Sequence, residues 1–483
     1  MKGRAMSNGN NVYKCCKLKQ MIFNAVMMIQ LFLTATLVFA EVQTYPAPEG
    51  EAITDVYSVT VDGEPVDVYA AQSQHFEGDY YFASFDFSGK VAINVTSKFP
   101  MEKTQILPKH FALDVKCSSN AVDFVTDQPF RASVEPNGRV KPLLLFGNAI
   151  ENDAPDPNAP NVVYFGPGVH RPGKITLCDH QTLYLAQGAV VKGAVLATGE
   201  NITVCGRGIL AGEDSPRFSG PGRFMLDLTE CKNVTVRDIT IRNPWSWTAV
   251  TWNCDGVVFD NVKICGSRMI NDDALDLVNT QNVVVRNCFF RTQDDSIAVK
   301  GAAKMTRPCE NIKIENCQFW TDVANIFRIG YECETEGMRG IDARNIDILH
   351  YSKNYRAPTD YWANTIIWLQ PSNNMTLENC HFKNFTIYSD GSAMILLMAK
   401  PMRCTYGDIK KPEPGRIKNC VLKNIEVVGI PGDFGGVLYF LGADAEHSVN
   451  GVTLENIRYF GEPIRQNSPC VEIGPNVENV EFH

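Results

Sequence analysis

Lys and Arg are nowhere concentrated in this sequence: 45 basic residues stand against 54 acidic ones, for a formal net charge of −9. A nucleic-acid partner is thereby excluded, because neutralising a phosphate backbone needs a dense basic surface. Cysteine pairs of the Cys-x-x-Cys type, with His at ligating distance, are also missing, which disfavours zinc. Outside residues 21–40 no segment is apolar for long enough to span a bilayer. From residue 162 onward, no helical periodicity separates the short β-branched runs, which removes α/β architectures from consideration.

What is present is a chain of 483 residues, 45% hydrophobic and 20% charged, long enough for two domains or one large solenoid. Lys14, Lys17 and Lys19 precede the apolar run, which ends Leu37-Val38-Phe39-Ala40 before Glu41. Val38 and Ala40 suit signal peptidase, so residues 1–40 are expected to be a signal peptide cleaved after Ala40, an uncleaved anchor being the alternative. The mature protein is then expected to be secreted, extracellular or periplasmic, and free of the membrane. Of 16 cysteines, Cys15 and Cys16 would leave with that segment. The remaining fourteen sit singly along the chain and do not read as a disulfide framework.

Several cysteines share one phrase: Asn287-Cys288, Asn316-Cys317, Asn379-Cys380 and Asn419-Cys420. Recurrence at one place in a repeat implies side chains stacked on successive turns, with Cys acting as a small hydrophobe. The repeat itself begins at Asn201, Asn233, Gly256, Asn282, Asn311, Gly340, Asn374 and Gly451, at intervals of 32, 23, 26, 29, 29, 34 and 77 residues. The last interval hides a further coil near residues 416–427. Short strands at this period predict a right-handed parallel β-helix over residues 156–483. Residues 41–155 differ. Alternating runs such as Tyr57-Ser-Val-Thr-Val, with Gly and Pro turns, predict an antiparallel β-sandwich, joined to the solenoid by a Pro- and Asp-rich stretch at 151–160.

Carboxylates concentrate in Asn271-Asp272-Asp273-Ala274-Leu275-Asp276 and in Gln293-Asp294-Asp295-Ser296. Asp273 and Asp294 are 21 residues apart, about one coil, and strands of adjacent coils are spaced about 4.8 Å. Crowding of five carboxylates raises some of their pKa values, so that one holds a proton while others stay ionised. Hydrolysis of a glycosidic bond needs such a pair. Solvated turns and a calcium site compete with this reading.

These two motifs resemble the Asn-Thr-Asp-x-x-Asp and Asp-Asp motifs of the family 28 glycoside hydrolases, the polygalacturonases. Tyr164-Phe-Gly-Pro-Gly168-Val-His170, Leu185-Ala-Gln-Gly-Ala189-Val-Val-Lys192-Gly-Ala194 and Asp347-Ile-Leu-His350 resemble phrases of the related family 49, the dextranases and isopullulanase. The resemblance covers residues 162–352, and it implies a β-sandwich ahead of a β-helix. It also implies Asp294 as general acid, with Asp273 and Asp295 activating water in an inverting hydrolysis. Strict alternation with Leu275, Leu277, Ile297 and Val299 conflicts with this in part. It turns Asp273 and Asp295 inward and leaves Asp272 and Asp276 outside, unless the backbone bends just before each strand.

Asn325 takes the position of a family 28 His, and that family's Arg-x-Lys has no counterpart at the expected distance. A neutral, glucan-like polysaccharide is therefore favoured over a polyuronate. Asp272, Asp276, Lys300, Asn325, Arg328, Tyr331 and Glu332 are candidate substrate-binding residues. So is Trp247, from the aromatic group Trp245, Trp247 and Trp252 on the preceding coil. No cofactor or metal is expected. A calcium-dependent lyase and a non-catalytic carbohydrate binder remain as alternatives on the same fold.

Overall fold

The computed structural model describes residues 1, 40–51, 53–74, 78–302, 307–353, 363–404, 413–432 and 436–483. Residues 2–39, nearly all of the expected signal peptide, lie outside the described residues. Among those described, no helix is long and apolar enough to cross a membrane.

The chain first builds two facing sheets between Glu41 and Ala149, one of six strands and one of five. All their pairings are antiparallel except one, where Leu143–Ala149 runs parallel to Tyr80–Ser88. Alternation explains the sandwich. Val59, Val61, Ile93, Val95 and Phe124 of one sheet meet Phe85, Phe87, Ala132, Val134 and Leu145 of the other. The strand Tyr80–Ser88 is apolar on both faces because its other face, with Tyr80 and Phe82, packs with Phe146 on Ile209, Cys265, Phe289 and Leu349 of the solenoid. Ion pairs lock the same contact: Arg207 to Asp86 at 2.9 Å, both buried, and Arg139 to the partly exposed Asp390 at 2.8 Å. His350, outside the aspartate cluster, lies 2.8 Å from Glu135 of the sandwich.

From Val162 to Phe482 the chain is a right-handed parallel β-helix, its strands pairing in parallel with those one coil away except Glu462–Pro463, which turns back antiparallel on Val449–Tyr459. One face carries the short strands Ala249–Trp252, Leu275–Val278, Ile297–Lys300, Phe327–Ile329, Ile367–Leu369, Leu397–Ala399 and Leu438–Phe440. Leu275, Leu277, Ile297, Val299, Phe327 and Ile329 stack inward along it in one continuous core.

The recurring Asn has a backbone cause. Asn201, Asn233, Asn282, Asn311, Asn379 and Asn419 hold φ between 51 and 57°, and Gly256, Gly340 and Gly451 occupy the same corner at 66–76°. Left-handed backbone is tolerated best by Gly and then by Asn, whose short amide bonds locally. A second corner carries Asn316, Asn345, Asn384, Asn424 and Asn456, linked amide to amide at 2.9–3.2 Å.

Two sequence expectations are corrected here. Asn379, not Asn374, stands in register with Asn311 and Gly340, because Ile341 pairs with Cys380. The four Asn-Cys phrases also form two columns rather than one. Cys288 and Cys317 follow the second corner with Ile346, whereas Cys380 and Cys420 follow the first with Ile341. Both corners demand the same left-handed residue before an inward apolar one, so sequence alone cannot separate them. All fourteen described cysteines are free thiols.

Candidate active site

The strands Leu275–Val278, Ile297–Lys300 and Phe327–Ile329 lie side by side, and the turns leading into them carry the acidic motifs. Parallel pairing persists through those turns: Ala274 N donates to Asp295 O at 2.9 Å, and Ser296 N to Asn325 O at 2.9 Å. Asp295 is thereby fixed between Asp273 and Asn325. The first strand begins only at Leu275, and the turn before it bends at Ser267 and Asn271, with φ of 76° and 62°. Alternation therefore does not reach back to Asp273, which lines the cleft together with Asp294 and Asp295. One carboxylate oxygen from each of these three lies within 4.8 Å of the others.

The cleft has a volume of about 380 Å³, and Lys300, Asn325, Arg328, Glu332 and Trp247 also line it. Lys300 Nζ lies 2.7 Å from Asp276 Oδ1, 3.2 Å from Asp273 Oδ2 and 3.3 Å from Glu332 Oε2, and stands 3.7 Å over the Trp247 ring. Burial works against the Lys300 ammonium, but Asp273, Asp276, Glu332 and, less strongly, Asp295 outweigh it and hold its pKa well above the ordinary lysine value. Asn325 donates to Asp295 Oδ1 through Nδ2 at 2.7 Å and through its backbone N at 3.2 Å, while its own Oδ1 accepts from Thr365 N at 2.8 Å. Arg328 Nη1 approaches Asp295 Oδ2 at 3.5 Å.

Asp294 is the half-buried member of the triad and makes no ion pair among the described residues. It accepts from Asn271 N at 3.2 Å and Asp295 N at 2.9 Å. Burial, and then the neighbouring Asp295 charge, push its pKa up to about 6. Burial also raises Asp273 well above the carboxylate range, against the pull of Lys300, and Asp273 Oδ1 has no protein hydrogen bond. At neutral pH such a cluster holds protons as a unit, and its apparent pKa values belong to the set.

Three expected substrate contacts are not in the cleft wall. Asp272 is fully buried: its carboxyl turns under the next coil and accepts from Gln293 N at 2.7 Å, Asp294 N at 3.2 Å and Ser267 N. It pins the turn that carries Asp294. Asp276 does face away from the coil interior, between core residues Leu275 and Leu277, but Lys300 from the next coil covers it completely. Tyr331 is buried beneath the Arg328 guanidinium, 4.4 Å from ring centre to carbon. Of the tryptophans, Trp245 is core, Trp247 lines the cleft, and Trp252 is half-buried beside Phe224. Sequence reasoning missed Trp368 and Asn364, which also line the cleft. Trp368 was findable: it sits outward between Ile367 and Leu369, in register with Arg328. The triad is the group among the described residues with metal-ligating spacing, although Lys300 and Arg328 already lie against it.

The family model described as glycosyl hydrolases family 28 matches residues 221–323, a span that contains both acidic motifs. No curated protein sequence matches the chain. Among solved structures the chain is similar in fold to Dex49A from Penicillium minioluteum. There the TM-score is 0.69 at 14% identity, over 91% of this chain and 96% of that one. The family 28 exopolygalacturonase of Yersinia enterocolitica overlays with a TM-score of 0.49 at 14% identity, over 81% of this chain and 96% of that one.

Proposed function

We propose that the protein is a secreted glycoside hydrolase that cleaves a polysaccharide with inversion at the anomeric carbon. The observation that carries this reading is the triad: three carboxylate oxygens from two adjacent coils within 4.8 Å, in an open cleft. Asp294, its pKa raised to about 6, carries a proton up to about that pH and delivers it to the glycosidic oxygen as the C–O bond breaks. Asp273 and Asp295 accept hydrogen bonds from one water; as its oxygen adds to the anomeric carbon, one proton passes to this carboxylate pair and the other stays on the new hydroxyl. A water donating hydrogen bonds of about 2.8 Å to two acceptors, at its near-tetrahedral angle, needs them about 4.5 Å apart. An oxygen of each of these two carboxylates lies within 4.8 Å of one of the other, which admits that arrangement. Oxygens within 4.8 Å are closer than the separation of about 6.5–9.5 Å usual for inverting carboxyl pairs and nearer the roughly 5–5.5 Å of retaining ones, so the proposed inversion rests on the shared water alone and product stereochemistry tests it.

Four carboxyl groups line the cleft (Asp273, Asp294, Asp295, Glu332), and the two cations beside them, Lys300 and Arg328, already face carboxylates. That field disfavours a uronate there and favours a neutral sugar. It also opposes the lyase reading, since the surrounding carboxylates hold Lys300 charged and it is no free base. The export-type segment at residues 1–40 supports action outside the cytoplasm. The test is a screen of purified protein on dextran, pullulan and polygalacturonate, with product analysis. New reducing ends on a neutral glycan, without an ultraviolet-absorbing double bond and unchanged by a chelator, support the reading. Unsaturated products that require calcium would replace it with a lyase.

A further inference from the structure

A second cavity, of about 460 Å³, adjoins the carboxylate cleft and shares Trp247 and Asn271 with it. Its wall is a loop held in place by its own chemistry. Phe218 N donates to Trp245 O at 2.6 Å, and Gly220 lies so close to the Trp245 ring that a Cβ there would stand 1.9 Å from it. Pinned this way, the loop leaves Phe218 60% exposed at the rim, with a left-handed φ of 61° that is costly for a large side chain.

Arg223 lines this cavity and is exposed. Its guanidinium lies over Phe224 at 4.8 Å and over Trp252 at 5.1 Å, while Phe224 stacks on Trp247 at 5.4 Å and 9°. Among the described residues no carboxylate comes within ion-pair distance of it. Asp227, which feels its charge, is bonded to Thr229 Oγ1 at 2.8 Å instead. Arg217, on the same loop, is a second exposed cation. The molecule thus sets a cationic, aromatic-backed pocket directly beside an acidic reaction cleft.

Resting on the hydrolase reading, we infer that this pocket is a subsite for a sugar unit bearing an anionic group, carboxylate or sulfate, adjacent to the neutral unit that is cleaved. Contact with two aromatic rings holds the guanidinium in place in advance, which lowers the ordering cost of binding, and its exposure leaves N–H groups for a grip on an oxyanion. The contrast of charge also fixes register: sliding the chain by one unit would bring the anion onto Asp273, Asp294 and Asp295.

The experiment uses the full-length protein carrying Asp294→Asn, so that bound glycans are not consumed. It is applied to an array of neutral, uronate-bearing and sulfate-bearing oligosaccharides, with and without Arg223→Gln. The expected result is tighter binding of glycans that carry an acidic unit than of neutral ones, with that advantage reduced roughly ten-fold or more by Arg223→Gln and by added salt and the binding of neutral glycans unchanged. The array itself tells carboxylate from sulfate. Binding confined to neutral glycans, acidic binding that survives Arg223→Gln, or no glycan binding overturns the subsite. Acidic glycans that need Arg223 for binding, yet yield no reducing ends with Asp294 restored, would sink the hydrolase reading and leave the subsite standing.

Discussion

Lys300 Nζ and Asp276 Oδ1 lie 2.7 Å apart, a buried ion pair that bridges two adjacent coils at the floor of the cleft. Asp276 faces outward from its strand yet never meets solvent, because the next coil lays this lysine across it. The same ammonium reaches Asp273, and so couples the floor of the site to one of the two carboxylates assigned to water.

Removing that cation strands Asp273, Asp276 and Glu332 together. In Lys300→Met, unfolding in urea at pH 7 is expected to show a loss of about 3–5 kcal/mol, the range for breaking one partner out of a buried pair. The loss shrinks as pH falls, since protonated carboxyls need no counter-charge. Equal stability of the two proteins at pH 7 would show that the pair contributes little.

Activity should follow the Asp294 proton. Its pKa is raised to about 6, so the protonated acid dominates below that pH and is lost above it. The logarithm of kcat/KM is therefore expected to fall as pH rises through about 6, and a plateau extending to pH 8 would argue against Asp294 as the acid. Linkage has the same sign: a carboxyl raised from its unfolded value contributes stability fully below about pH 4, and that contribution is lost as pH rises through about 6.

Asp272 is expected to act on stability first. Asp272→Ala leaves the buried backbone N–H groups of Ser267, Gln293 and Asp294 without their acceptor, at a cost of about 1–3 kcal/mol each when unsatisfied. A thermal melt should record the loss. A variant that melts like the parent but shows a raised KM would restore the substrate-contact role that its burial removes.

Much of this was legible in the sequence, and the limits have physical causes. The Asn and Gly corners announced the solenoid because left-handed backbone admits few residues, so positions such as Asn282, Asn311 and Gly340 recur visibly. The acidic motifs marked Asp273, Asp294 and Asp295 for one cleft through their one-coil spacing. Alternation failed at Asp272 and Asp273 because the strand starts later, at Leu275, after a bend that side-chain pattern does not encode. The covering of Asp276 by Lys300 was equally hidden, since it depends on a side chain reaching across from another coil. The Arg223 pocket carried no motif; it exists only once the loop is seen folded against Trp245 and Phe224.

The stereochemical outcome follows from two carboxylates sharing one water. Proton NMR of the first product, recorded before mutarotation, is expected to show the anomer opposite to that of the substrate linkage. Retention would make Asp273 or Asp295 a nucleophile.

The most direct test of the account is the turnover of Asp294→Asn on the glycan that the parent protein cleaves fastest. The variant keeps the volume of the side chain but cannot supply the proton. With folding verified by a cooperative urea transition, release of reducing ends is expected to drop by about 10²-fold or more. Comparable turnover in the folded variant would contradict the assignment of Asp294 as the acid, and with it the catalytic reading of the triad.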